Sequence, residues 1–288
     1  MKGKSVRYLG LELGGNRRTA VVALDFFPAE GKIFLAENAI HLQGTSIETA
    51  DDALVRTVNR LDPSMISVDA PLTLPPCFLC EDPGCAQSKR CSKPAVKWMR
   101  EEGERRRWSK SKMPAPYTHR PVDLLLRGKW QEDAPLPIPS DEAFGSSRAP
   151  LAARIAFLRR LFVCDNLIEA SPRLGLMCIA EWYGISTREL RRCRDMEYGS
   201  ENRFIILNKL TEKSLVPGLP HLFLYMTDVV NLSKDLSAFD ALLCALMGLY
   251  SGLDLLESPE IPPEWGNIAR PKSLRSLRIA RGESWGNT

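Results

Sequence analysis

The sequence predicts an α/β domain built on a mixed β-sheet, with an antiparallel three-strand meander followed by parallel strands. Three observations lead to this fold class. Strand-like segments separated by short turns fill 5–42, a helical pattern follows at 47–61, and a short apolar strand comes next at 65–70. Strands joined by tight turns pair antiparallel, whereas a strand reached through a helix can lie parallel to an earlier one.

The three strands of the meander are predicted from a two-residue periodicity. In SVRYLGLELGG (5–15), leucines alternate with Gly10 and Glu12, and a glycine pair ends the pattern. Such alternation is typical of a strand with one buried face. The segments RTAVVALDFF (18–27) and KIFLAENAIHL (32–42) follow after short turns, so we expect all three strands to be neighbours.

The elements after the meander alternate between helices and strands. The helix predicted at 47–61 has acidic residues early and basic residues late, which suits the helix dipole. MISVDA (65–70) is almost continuously apolar, as expected of a central buried strand. The remaining predicted elements are an amphipathic helix at 149–162, a strand at 166–171, a helix from Pro172, polar helical sequence at 186–213, and an apolar helix at 237–253.

The middle of the chain differs in composition from both flanks. It holds a cysteine cluster, a basic helix and proline-rich loops. We therefore predict a main domain over 1–258, interrupted by a Cys-rich, basic insertion at 72–147. The basic residues 259–288 are expected to form a flexible C-terminal tail.

Composition limits the classes of function. The longest apolar run, at 241–250, is about half of the roughly 20 residues that a membrane helix needs. The N-terminal apolar run is short and broken by Glu12, so we expect no signal peptide and no membrane partner. The chain has eight cysteines. Without a secretory signal they predict a reducing, cytoplasmic setting, where clustered thiols bind metals more often than they form disulfides.

Four carboxylates occupy positions where an α/β sheet gathers its ligands. They are Glu12 in the first strand, Asp69 and Glu169 at two later strand ends, and Asp240 in the first turn of the apolar helix. Ligands of open α/β sheets bind beyond the carboxyl ends of the strands. Carboxylates that converge there repel one another unless a cation neutralises them, and their hard oxygens suit Mg²⁺ or Mn²⁺. Three of these residues also have a structural explanation: Asp240 as a helix-capping residue, Glu169 as a turn residue and Glu12 as an ordinary exposed strand residue.

The cysteine cluster has the spacing of a metal site. Four cysteines follow the pattern C-x2-C-x4-C-x5-C, namely Cys77, Cys80, Cys85 and Cys91. Four thiolates are the ligand set of a closed, tetrahedral structural Zn²⁺ site. An iron–sulfur cluster also uses four cysteines, and a metal-free cluster is the third alternative.

The insertion also has the composition of a nucleic-acid-binding segment. Between Lys89 and Lys129 there are 13 Lys and Arg residues against four acids. CFLCEDPGC resembles the first half of a zinc knuckle, a module that binds single-stranded nucleic acid. Basic and aromatic residues together neutralise phosphates and stack on bases. The predicted contacts are Trp98, Arg105, Arg106, Arg107, Trp108, Tyr117, His119 and Arg120.

These contacts also have structural alternatives. The tryptophans could pack against the domain, and the arginines could pair with Glu101, Glu102 and Glu104 at helical spacing. Arg120 is a candidate phosphate clamp and His119 a candidate proton donor, although an isolated loop histidine usually has no catalytic role.

Several segments resemble those of a known family. YLGLELGG, ISVDAPLTLP, PYTHRPVD, LIEASPRLGL and FDALLCAL are similar to segments of an uncharacterised family of predicted nucleases with a ribonuclease H-like fold, in the superfamily of the RuvC-type resolvases. The resemblance extends from Tyr8 to about Tyr250. It implies a divalent-metal-dependent nuclease acting on DNA or RNA, with the four carboxylates as metal ligands. The family usually has Asp in the first strand, where this chain has Glu12, which keeps the charge but adds one methylene.

Two other functions stay open at this point. A protein of the same fold that binds nucleic acid without catalysis would keep the basic insertion and lose the chemistry. The acid–Gly-Gly turn of GLELGG also looks like the first phosphate loop of sugar kinases and actin-like ATPases. Those proteins have a second glycine-rich loop, and the corresponding VDAPLTLPP has prolines where backbone N–H groups would have to approach a phosphate.

Overall fold

The structure is a computed structural model of the 288-residue chain. It describes residues 4–14, 19–39, 42, 45, 47–78, 80–85, 87–109, 113–138, 143–145, 148–195 and 197–280. The turn predicted between the segments 5–15 and 18–27 therefore lies mostly outside the described residues, as do the last eight residues of the sequence.

One mixed β-sheet of seven strands organises the fold. Its strands are β1 (Val6–Glu12), β2 (Ala20–Phe27), β3 (Lys32–Ala39), β4 (Met65–Val68), β5 (Leu167–Ala170), β6 (His221–Phe223) and β7 (Ile268–Ala269). Their order across the sheet is β6-β3-β2-β1-β4-β5-β7.

The pairing directions confirm the predicted α/β class with a meander followed by parallel strands. β1 pairs antiparallel with β2, and β2 antiparallel with β3. β4 runs parallel to β1, and β5 parallel to β4. The short strand β6, which the sequence pattern did not reveal, adds to the open side of β3 in parallel. β1 is therefore the strand at which the antiparallel and parallel parts of the sheet meet.

Twelve α-helices lie in the described part of the chain. They are α1 (Ala50–Leu61), α2 (Gln87–Arg90), α3 (Pro94–Arg105), α4 (Pro121–Arg127), α5 (Lys129–Asp133), α6 (Arg148–Leu158), α7 (Pro172–Ile179), α8 (Thr187–Arg192), α9 (Gly199–Leu210), α10 (Met226–Lys234), α11 (Leu236–Gly252) and α12 (Leu274–Ala280). None of the helices in the described ranges has the length and apolar character needed to cross a membrane.

The chain divides into two compact units. The first contains 1–69, 161–257 and 269–288, and the second contains 70–160 and 258–268. The second unit thus covers the predicted insertion at 72–147 and continues through α6. The C-terminal region differs from the expected flexible tail, because 259–280 contains a 3₁₀ turn (Pro263–Trp265), β7 and α12.

The core of the first unit is the contact between α11 and the sheet. Every residue of α11 from Ala238 to Tyr250 is buried, which explains why its sequence is apolar nearly all round. Gly10 of β1 faces this helix so closely that an added Cβ would overlap the backbone oxygen of Ala241 and the backbone nitrogen of Ala245. A Cβ at Gly248 would lie 2.6 Å from Ser67 Oγ of β4. Glycine at these positions lets the backbones of helix and sheet approach each other.

We predict that Gly10→Ala strongly destabilises the first unit, because the new methyl group would meet the backbone of α11 and not a side chain that can move aside. The expected loss is about 3 kcal/mol or more in the free energy of unfolding, measured by urea denaturation. Gly84→Ala is the matched control, since the nearest atom to its added Cβ is Asp82 Oδ1 at 3.5 Å. Equal stability of the two variants would contradict this account of the packing.

Candidate functional site

Three of the four predicted carboxylates converge in the first unit. Glu12 is the last residue of β1, and Asp69 directly follows β4. Because β1 and β4 are parallel, their carboxyl ends lie at the same edge of the sheet. The backbone N–H of Asp69 donates to the carbonyl oxygen of Leu11 at 3.0 Å, which extends the pairing beyond the assigned strand. Asp240 reaches the same place from α11.

The pKa of Glu12 reflects the presence of the other two carboxylates. Burial raises the pKa of Glu12 well above its ordinary value, and the negative charges of Asp69 and Asp240 raise it further. A hydrogen bond between the carboxyl groups of Glu12 and Asp69 acts in the same direction, whereas the positive charge of Arg194 opposes it. Glu12 Oε2 is buried and has no hydrogen-bond partner among the described residues. A cation or a proton at this oxygen would therefore stabilise the carboxyl group of Glu12.

Asp240 lies in the second turn of α11, not in the first turn as the sequence suggested. The helix starts at Leu236, and its N-terminal cap is Asp235, whose side chain accepts from the backbone N–H of Ala238 at 2.9 Å. Asp235, and not Asp240, is therefore the residue that caps this helix. Asp240 is only 4% exposed, and burial raises its pKa to about 6 even though Arg194 and Arg203 lower it.

Arg194 is the functional candidate that the sequence did not reveal. Its Nη2 donates to Asp240 Oδ1 at 2.6 Å, and 29% of its side chain is exposed. Neighbouring Arg203 is buried and donates to the carbonyl oxygens of Ser233 and Cys193, both at 2.7 Å. These bonds hold the segment that presents Arg194. Nothing in the run RELRRCRD distinguishes Arg194 from the other arginines, because its role comes from a contact 46 residues away.

The structure does not place Glu169 with the other three carboxylates. In the parallel ladder, Glu169 is the register partner of Val68, and Val68 is the partner of Leu11. Register partners project from the same face of a sheet, and successive residues alternate between faces. Glu169 therefore shares the face of Leu11, whereas Glu12 belongs to the opposite face, the one covered by α11 through Gly10. The side chain of Glu169 is 3% exposed and has its own interactions.

The four clustered cysteines lie in the second unit and are not joined by disulfides. Cys77, Cys80 and Cys91 are half-buried, and Cys85 is exposed. Burial raises the pKa of Cys77, and the charges of Cys91, Cys80 and Cys85 add to this effect. Among the described residues, no group of three or more His, Cys, Asp or Glu side chains forms a preformed metal site.

The two predicted base-stacking tryptophans pack within the second unit. Trp98 of α3 is half-buried, and its ring centroid lies 6.3 Å from that of Trp265. The guanidinium of Arg127 lies 5.9 Å from the ring centroid of half-buried Trp108, a cation–π contact. Both rings therefore pack against neighbouring side chains, which was the structural alternative to stacking on bases.

The arginine run is largely engaged in ion pairs. Glu102 binds Arg105 Nη2 at 2.6 Å and also accepts from Arg106 Nε, in agreement with the helical-spacing alternative. Arg106 Nη1 also contacts Glu132 at 2.7 Å, and only 8% of the Arg106 side chain is exposed. Arg107 is exposed and has a positive φ of 52°.

The loop around His119 is mostly buried. Arg120 is 1% exposed and donates to Asp123 through its backbone N–H at 2.7 Å and through Nη2 at 2.8 Å. His119 is 4% exposed, with Nδ1 2.8 Å from Thr118 Oγ1 and Nε2 3.1 Å from Arg127. Both side chains therefore stabilise the second unit, and Tyr117 is the exposed member of the predicted loop at 64%.

Comparison of the chain with protein-family models, with curated proteins and with solved structures found no match. The chemistry of the site must therefore be argued from its own residues.

We predict that Glu12→Gln stabilises the metal-free protein near neutral pH. A carboxyl group whose pKa is raised by folding loses stabilisation as the pH rises from its ordinary pKa through its folded pKa, and glutamine removes that loss. Each pKa unit corresponds to about 1.4 kcal/mol, and the gain should vanish near pH 4, where Glu12 is protonated in both states.

Thermal unfolding of both proteins, stripped of metal with a chelator, between about pH 4 and pH 8 would measure this difference in stability. Glu37→Gln is a suitable control, because Glu37 is also a strand glutamate and pairs with Arg60 at 3.2 Å. A wild type that is more stable than Glu12→Gln at pH 8 would show that Glu12 is not under the predicted electrostatic stress.

Proposed function

We propose that this protein is a divalent-metal-dependent nuclease of the ribonuclease H-like type, which hydrolyses phosphodiester bonds in DNA or RNA. The observation that carries the proposal is the buried Oε2 of Glu12, which has no hydrogen-bond partner in the described part of the chain, beside Asp69 and Asp240. Buried polar atoms usually have partners, and an exception asks for an explanation such as a bound ion.

The topology of the sheet supports the resemblance on which this proposal partly rests. An antiparallel meander leads through a helix into parallel strands, and the acids lie at the ends of the first and fourth strands and on a late helix. These are the positions at which the resemblance expects metal ligands. Glu169 is the exception, so the proposed ligand set is Glu12, Asp69 and Asp240.

The donor set suits a hard divalent cation. Carboxylate oxygens are the preferred ligands of Mg²⁺ and Mn²⁺. Arg194 and Arg203 both act on Asp240, and a divalent cation would add positive charge beside Glu12 and Asp69. Without such a cation, burial and the neighbouring carboxylates raise the pKa values of Glu12 and Asp240, which favours their protonated forms. A bound Mg²⁺ or Mn²⁺ would supply activation of a water molecule and stabilisation of the leaving oxygen.

Arg194 has a second role in this proposal. Its bond to Asp240 Oδ1 holds that carboxylate in position within the buried end of α11. Its guanidinium has further N–H groups and is partly exposed. A guanidinium binds phosphate oxygens through paired, charge-assisted hydrogen bonds. We therefore assign Arg194 to binding the phosphate of the substrate next to the carboxylates.

The second unit is proposed to contribute contacts to the nucleic acid. Its exposed candidates are Arg107, Tyr117 and Arg105, the last paired with Glu102, which combine positive charge with a ring available for stacking. Trp98, Trp108, Arg106, His119 and Arg120 instead support the unit through packing and buried ion pairs.

Replacing single carboxylates tests the proposed chemistry. Asp69→Asn and Asp240→Asn should each lower Mg²⁺- or Mn²⁺-dependent cleavage of single- or double-stranded DNA and RNA by about two orders of magnitude or more, because each removes a charge from the site. Cleavage of labelled oligonucleotides, followed by gel electrophoresis, measures the rate, and circular dichroism verifies folding.

Asp165→Asn is the matched control, since Asp165 is an exposed acid of the same unit and should leave cleavage unchanged. Metal-dependent cleavage that survives both site variants would refute the mechanism. Metal binding with no cleavage of any of the substrates by the wild type would favour the non-catalytic nucleic-acid-binding alternative.

A further inference from the structure

The loop at 77–91 has no apolar core of its own. None of the side chains that the structure describes in this segment is buried, and its one helix, α2, has four residues. Phe78 is 54% exposed, although its ring lies 4.4 Å from that of Phe144. A segment of this kind buries too little apolar surface to offset the entropy of ordering it, so something other than packing must fix it.

Contacts at both ends of the loop hold Cys77 and Cys91 to the second unit. The N–H of Cys77 donates to the carbonyl oxygen of Pro116 at 2.9 Å, and Arg100 Nη1 donates to the carbonyl oxygens of Lys89 and Cys91 at 3.1 and 3.4 Å. Cys80 closes a turn that begins at Cys77, by donating its N–H to the carbonyl oxygen of Cys77 at 3.3 Å. The negative charges of the other three cysteines raise the pKa of Cys77, although the four sulfurs do not form a preformed site in the described part of the chain.

We propose that Cys77, Cys80, Cys85 and Cys91 bind one Zn²⁺ ion as four thiolates and that this ion fixes the 77–91 loop. Four sulfur ligands form the closed tetrahedral set of a structural zinc site. Because the loop has few contacts of its own, formation of the site is coupled to ordering of the loop. This inference does not depend on the proposed nuclease function.

The surroundings suit a thiolate site. Metal binding releases the thiol protons to the solvent and leaves a tetrathiolate centre with excess negative charge. Lys93 forms a hydrogen bond to the sulfur of Cys80, and Arg100 binds the carbonyl oxygen of Cys91. Cations and hydrogen-bond donors next to the ligands stabilise such a charge.

Cobalt substitution tests the site directly. The full-length protein would be reduced, stripped of metal with a chelator and titrated anaerobically with Co²⁺. We expect one equivalent to produce a sulfur-to-cobalt charge-transfer band and the intense visible bands of tetrahedral cobalt, and Zn²⁺ to abolish them. Cys85→Ser should lower the affinity at least tenfold and weaken the charge-transfer band, because it removes one thiolate. Cys164→Ser, a half-buried cysteine outside the cluster, should match the wild type.

A second measurement covers the case in which Cys85→Ser folds poorly. In the wild type, Zn²⁺ should protect the four clustered cysteines from alkylation and leave the labelling of Cys164 unchanged. The absence of thiolate bands from the wild type would overturn the proposal, and so would iron with sulfide in the protein as isolated. Asp69→Asn should keep the full cobalt spectrum, so failure here can be told apart from failure of the nuclease proposal.

Discussion

The close approach of α11 to β1 at Gly10 is the constraint on which the first unit depends. The helix backbone at Ala241 and Ala245 occupies the space where any other residue would place its Cβ. Gly10 lies two residues before Glu12, and Ala241 directly follows Asp240. The contact that packs the core therefore also brings a helix carboxylate to the end of the central strand, and the same few residues determine both the fold and the candidate site.

This packing has an electrostatic cost. It buries Asp240 and one oxygen of Glu12 next to Asp69, and the positive charges of Arg194 and Arg203 oppose the resulting rise in pKa. A protein selected for stability alone would place apolar residues here, since buried carboxylates without full compensation are unfavourable. Such arrangements are concentrated at functional sites, where shifted pKa values and unpaired oxygens are used for binding or catalysis. The unfavourable burial of the Glu12 and Asp240 carboxylates is the physical reason for expecting a cation.

Much of the fold was predictable because its elements have strong local signals. The meander showed alternation, α11 a long apolar run, and the ends of β1 and β4 were marked by Glu12 and Asp69. The features that the sequence did not reveal depend on tertiary contacts. The face of Glu169 is set by strand register, where a shift of one residue reverses every side chain. The Arg194–Asp240 pair joins distant segments, and β6 is too short, at three residues, to show periodicity.

The central claim is that Glu12, Asp69 and Asp240 together bind a divalent cation in exchange for protons. Calorimetric titration of the zinc-loaded protein with Mn²⁺ near pH 7, in buffers of different ionisation enthalpy, measures affinity and proton release together. Because the pKa of Glu12 is raised well above its ordinary value, we expect binding with net release of protons, and weaker binding with less release in Glu12→Gln. Binding that releases no protons and is unchanged in Glu12→Gln, or no binding at all, would contradict the account.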